Sequence, residues 1–186
     1  MEVQLSWDII FLALIVVVFG VAFIRPHKFT LRLLLGTYLS LIIAEGAAFF
    51  LEGVILPAAP ALQSWVSENG IFFFMGVRLI LFFVALSLFI IRGHYQVEHK
   101  KHDHWLARSI IHISFAALTS LLFVTSVFSF LSGNSFIESL LNNFAPNPWF
   151  DSSIVVEMAL QSYGVWLALP AIGMLVASIV HPRNTD

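Results

Sequence analysis

Five stretches of this chain, residues 9–24, 31–51, 71–91, 109–131 and 154–180, are almost wholly apolar. Each is close to the ~20 residues that a helix needs to cross a bilayer. The apolar residues run continuously rather than at a period of two or 3.6, so these segments would be hydrophobic all round and suited to lipid. Charge is too scarce for any other solvent. Of 186 residues, 59% are hydrophobic and only 11% charged, against about 25% charged in soluble domains. A soluble enzyme, a nucleic-acid binder and a disordered chain are therefore excluded. The expected fold is an all-α polytopic helical membrane bundle of five transmembrane helices, a single membrane domain over residues 1–186. The first span is near the short limit, and the last is long enough to tilt or kink.

The basic residues predict an orientation. Arg25, Lys28 and Arg32 flank the first turn, Arg92, Lys100, Lys101 and Arg108 fill the third connection, and Arg183 follows the last span. The second and fourth connections contain no Lys or Arg. By the positive-inside rule the N-terminus lies outside and the C-terminus in the cytoplasm, which requires an odd number of crossings. Residues 1–8 lack the basic n-region of a signal peptide, so the first block is expected to stay as a span. Trp7, Trp65 and Trp149 would form an outer aromatic belt, with Trp105 an inner anchor.

Both outer connections are expected to lie on the membrane. Pro57 and Pro60 break the first, leaving residues 61–67 as a short helix. In the second, Ser135 and Glu138 form a capping box, and Phe136, Ile137, Leu140, Leu141 and Phe144 an apolar stripe, so residues 135–144 read as an interfacial helix. Pro146 and Pro148 stop it, and Asp151 or Ser152 would cap the fifth span.

Two charges fall inside the spans, Glu45 and Arg78. An ionisable group in hydrocarbon costs a few kcal/mol and is paired or lines a polar cavity. Both sit about 10–12 Å below the same boundary at 1.5 Å rise per residue, on helices joined by one connection, so they are expected to pair, with Asp8 or Glu157 as a third partner. The pair either locks the helices or forms a polar site, such as an ion or proton path or a hold on a small anion at Arg78. A pure lock should tolerate exchanging the two charges better than either single change.

Gly36, Ser40, Ala44 and Ala48 recur every four residues on the second span, the small-residue pattern that lets helices approach closely. On the fourth, Thr119, Ser126 and Ser129 share a face, with Ser120 and Thr125 nearby; interhelical hydrogen bonds or a water-lined path would use them. Gln161, Gly164, Pro170 and Gly173 suggest a kinked fifth span whose freed backbone groups need a partner.

Four of the seven histidines, His94, His99, His102 and His104, lie in the third connection. His99 and Asp103 have a feasible metal-ligand spacing if helical, with His102 beside them. Lys100 and Lys101 oppose a cation there, so a loop touching anionic headgroups is the leading reading and no metal or other cofactor is expected. Bis-His haem lacks histidines at depth. The chain has no cysteine and no H-E-x-x-H, G-x-S-x-G or P-loop, so no enzymatic activity is expected.

The N-terminal third resembles the colicin V production protein family of bacterial inner-membrane proteins. The likeness rests on W-D at Trp7 and Asp8, an uninterrupted apolar span, F-I-R at Phe23 to Arg25, and Arg32 opening the next small-residue helix. Where that family carries R-G-F after the first span, this chain reads R-P-H-K-F. The resemblance implies a multi-span protein of the bacterial inner membrane linked to envelope processes or secretion. Together these features predict a structural or assembly protein, in a homo-oligomer or with other membrane proteins. The alternative is a small channel or transporter lined by Glu45, Arg78 and the Ser/Thr face of the fourth span.

Overall fold

A computed structural model describes residues 6–92, 105–133, 150 and 153–180. Among them every regular element is helical: α1 (Trp7–Ile24), α2 (His27–Phe50), a π-helical turn (Leu51–Ile55), α3 (Leu56–Ala58), α4 (Pro60–Arg92), α5 (Trp105–Leu131), α6 (Ile154–Gln161) and α7 (Tyr163–Val180). Four helices are long and apolar enough to cross a membrane, and five if α6 and α7 make one bent span. The predicted interfacial helix at 135–144, Trp149, and His94, His99, His102, Asp103 and His104 lie outside the described residues.

The exterior is apolar and the interior holds the hydroxyls. Ile9, Val16, Val17, Ile42, Phe49, Ile80, Leu88 and Ile172 are exposed, while Thr30, Thr37, Ser40, Thr119, Ser120, Thr125, Ser126 and Ser129 are buried. Water would penalise such a surface, whereas lipid tails make burial of large apolar groups unnecessary and leave small residues to bring helices together. This is the build of a membrane protein.

α2 and α4 form the closest pair. Gly36, Ala44, Ala48 and Ser40 are all buried, and a Cβ on Gly36 would stand 3.1 Å from Leu86 Cδ1 and 3.4 Å from Phe89 Cβ. The segment between them is not the membrane-hugging connection expected. Helix continues from Lys28 to Ala58, 31 residues or about 46 Å at 1.5 Å each. Ala59, outside the helical region at φ −128° and ψ 81°, links it to Pro60, the first residue of α4. Residues 61–67 are the opening turns of α4, not a separate helix. Proline is tolerated at a first helical turn because its missing N–H would be unpaired there anyway. Upstream of Pro57 the helix widens into the π turn, with Leu56 N–H donating to the Leu51 carbonyl, which accommodates a ring that would crowd the carbonyl four residues back.

α5 is the hub, with 44% of its span buried against 11% for α1. It packs on α1, α2, α4, α6 and α7. Phe11 on Phe128 and Phe23 on His112 run it antiparallel to α1, and Ser126 with Tyr163 and Phe115 beneath Gly173 run it antiparallel to α7. Thr30 Oγ1 donates to the Ala22 carbonyl (2.9 Å) and ties the α1–α2 turn.

The segment 154–180 is broken rather than continuous. α6 and α7 meet at 58°, and the break falls at Ser162 (φ −92°, ψ 14°), not at Pro170. Ser162 behaves as a cap for α7, its carbonyl accepting from Val165 and Trp166 N–H. Pro170 sits inside α7, where its ring disturbs the helical ladder. Pro170 removes the donor to the Trp166 carbonyl four residues back, and at the next rung the Tyr38 hydroxyl donates to the Leu167 carbonyl and faces Ala171 N–H, so α2 bridges the ladder beside the breach.

Candidate functional site

The polar centre of the bundle is built where α2, α4, α5 and α7 meet. Glu45 lies on the buried face of α2, one residue beyond Ala44, and Arg78 faces it from α4, with Nε 3.6 Å from Oε2. Both side chains are about nine-tenths buried, 9% exposed for Arg78 and 12% for Glu45. Arg78 has a second attachment: Nη1 donates to the Gly133 carbonyl at 3.4 Å. Gly133 follows the last turn of α5 with φ 78°, the left-handed conformation that glycine adopts at helix ends. It turns a terminal carbonyl of α5 toward the guanidinium, at the end where the helix dipole favours a cation. Arg78 thus joins α2, α4 and α5.

Neither expected third partner is here. The Asp8 carboxylate accepts from Ser153 Oγ and from Val155 N–H (3.1 Å), while Ser153 Oγ accepts from Val156 N–H (3.4 Å). Asp8 therefore caps α6 from α1. Asp151 and Ser152, the caps expected for this span, lie outside the described residues, and Ser153 is the N-cap that the structure describes. Glu157 is exposed and accepts from Gln161 Nε2 (3.1 Å) one turn along its own helix.

The hydroxyl face of α5 is buried, but most of its bonds do not cross between helices. Thr119 Oγ1 donates to the Phe115 carbonyl (2.6 Å), Thr125 Oγ1 to Leu121 (2.6 Å), Ser126 Oγ to Leu122 (2.7 Å) and Ser120 Oγ to Ala117 (2.8 Å). In a helix the carbonyl a turn back is always within reach of a Ser or Thr hydroxyl, so this bond needs no neighbour. Ser126 alone also meets another helix, 3.2 Å from the Tyr163 hydroxyl. Because Ser126 has already given its proton to Leu122, Tyr163 donates in that contact. The Glu45 carboxylate lies within electrostatic reach of Tyr163.

Tyr163, Tyr38 and Gly133 were the functional residues that sequence reasoning passed over. The signals were present. A tyrosine inside an apolar span must find a hydrogen-bond partner, and Ser132-Gly133-Asn134 after a span is a helix-stop pattern. Among the described residues no three His, Asp or Glu side chains come together as a metal site would require. No known protein family, curated protein or solved structure matches the chain.

Proposed function

We propose that this chain is a structural or assembly protein of the bacterial inner membrane, with its N-terminus outside and C-terminus in the cytoplasm. It works through lateral helix contacts with copies of itself or with other membrane proteins. The observation that carries this reading is the disposition of the intramembrane polar groups. Arg78 binds Glu45 and the end of α5, and the α5 hydroxyls fold back on their own carbonyls. Groups committed to holding helices together leave little to conduct an ion. The basic residues at one end of the bundle, Arg25, Lys28, Arg32 and Arg92, support the orientation. The likeness of the first third to colicin V production proteins supports the membrane assigned.

Two measurements test the reading. Purified protein in liposomes should carry no H⁺, Na⁺ or K⁺ flux above empty vesicles; flux that disappears in Glu45→Gln would install a channel or transporter instead. The absence of cysteine makes single-cysteine cross-linking unambiguous. Cysteines placed at exposed Ile42, Val84 or Leu88 should give discrete cross-linked species in native membranes, and a chain that stays monomeric from every position refutes assembly.

A further inference from the structure

We infer that the polar centre contains a built water site between α4, α5 and α7, bounded by Ser129, Arg78 and Tyr163. Among the described residues two buried polar atoms here lack a hydrogen-bond partner, Ser129 Oγ and Arg78 Nε. Ser129 is 2% exposed and Arg78 7%. The Nε–H is held only at ion-pair distance from Glu45, 3.6 Å, beyond hydrogen-bond length.

The two orphans share one region of the fold. On α5, Ser126 is fixed to Tyr163 and Gly133 to Arg78. Ser129 lies between them in the chain, about 4.5 Å along the axis from Ser126 at 1.5 Å per residue and in the last turn before the Gly133 bend that ends the helix. Ser129 is also the exception among these α5 hydroxyls: Thr119, Thr125 and Ser126 each reach a carbonyl a turn back, and Ser129 does not. Its hydroxyl is spared for something outside its own helix.

Leaving a buried donor or acceptor unmade costs about 1–3 kcal/mol, more for a charged group. A buried water typically makes about three hydrogen bonds to groups of this kind. Water fits the chemistry because it accepts from the Arg78 Nε–H and exchanges a bond with the Ser129 hydroxyl. An anion would face the Glu45 carboxylate across the site, and a cation would face the guanidinium. The neutral ligand is the one that the Glu45–Arg78 pair does not repel. The site therefore hydrates the ion pair locally, lowering the cost of keeping it in hydrocarbon, without opening a path across the bundle.

Pulsed X-ray radiolysis of the full chain in nanodiscs, read by mass spectrometry, tests this. Hydroxyl radicals form from a resident water and oxidise the ring beside it, even where bulk solvent does not reach. Tyr163, 1% exposed, should be oxidised, while Phe11, 2% exposed and buried in a separate cluster of α1, α5 and α6, should not. Ser129→Val removes the hydroxyl and fills its space, and should abolish the Tyr163 oxidation; Ser129→Ala serves if the valine protein does not fold, and should reduce it. A Tyr163 as silent as Phe11 overturns the site, as does oxidation unchanged in the Ser129 variant that folds. Oxidation of Phe11 together with Tyr163 also overturns it, because bulk water then pervades the bundle. The liposome measurement is independent of these outcomes, so a failed water site and a failed assembly reading are told apart.

Discussion

Exchanging the two buried charges is the most searching perturbation of the helix lock, because the geometry makes it asymmetric. At 3.6 Å and an effective dielectric constant of 20, the Glu45–Arg78 attraction is about 4.6 kcal/mol before desolvation is subtracted. Removing one partner of such a pair costs about 3–5 kcal/mol, much of it the price of the charge left behind. Glu45→Gln leaves Arg78 with the Gly133 carbonyl and the negative end of the α5 dipole, so its cost should fall near the bottom of that range, about 3 kcal/mol. Arg78→Gln loses that contact as well, worth about 1.5 kcal/mol at its 3.4 Å length. It also takes the guanidinium away from the Glu45 carboxylate, so about 4–5 kcal/mol is expected. The exchange of Glu45→Arg with Arg78→Glu restores the pair but aims the carboxylate at the end of α5, and should not rescue stability. The assay is SDS unfolding in mixed micelles followed by tryptophan fluorescence. Recovery by the exchanged protein to within about 1 kcal/mol of the parent, or equal costs for the two single changes, would refute the argument that Arg78 serves α5 as well as Glu45.

Three further outcomes follow from the packing. Tyr38→Phe should cost about 1–2 kcal/mol by stranding the Leu167 carbonyl, and should become near neutral in a Pro170→Ala background where the helical ladder can close; a double-mutant cycle by thermal unfolding measures the coupling. Gly36→Ala needs only the end of Leu86 to yield and should change stability by less than about 1 kcal/mol, whereas Gly36→Leu should overpack the α2–α4 contact by about 1–3 kcal/mol or more, read as a lowered melting temperature in detergent. Asp8→Ala should cost about 1–2 kcal/mol through the lost cap on α6, and its effect should be reduced but not abolished in a Ser153→Ala protein, because Val155 N–H still reaches the carboxylate; a thermal double-mutant cycle measures the difference.

The spans were legible because lipid demands long apolar runs. The meeting of Glu45 with Arg78 was legible because two charges at one depth on consecutive helices have few other solutions. What escaped was whatever depends on a partner distant in sequence. Asp8 reads as a third partner for the Glu45–Arg78 pair until Ser153 and Val155 are placed beside it. Pro57 and Pro60 look like breakers, yet proline is acceptable in a first turn and a π turn absorbs the rest, so a loop was expected where a helical hairpin stands. The hydroxyls of α5 promised contacts between helices because their shared face is visible in the sequence, whereas the competing carbonyl within each residue's own helix is not. In the last span Pro170 drew attention from Ser162, where the chain breaks, because a tyrosine on another helix repairs the damage that the proline does.

The single-residue link at Ala59 has a consequence for the order in which the chain enters a bilayer. Arg78 arrives on the second arm of a hairpin whose first arm already carries Glu45, so its counter-ion is at hand when the guanidinium leaves water. α1 is in the opposite position. Its principal neighbour, α5, begins about eighty residues after α1 ends, which at ~5–20 residues per second is roughly 4–16 s of synthesis. α1 carries no charge between Asp8 and Arg25 and has a span hydropathy of 2.8, the highest of the four long helices. It is the helix best able to wait alone among the lipids until the hub is made.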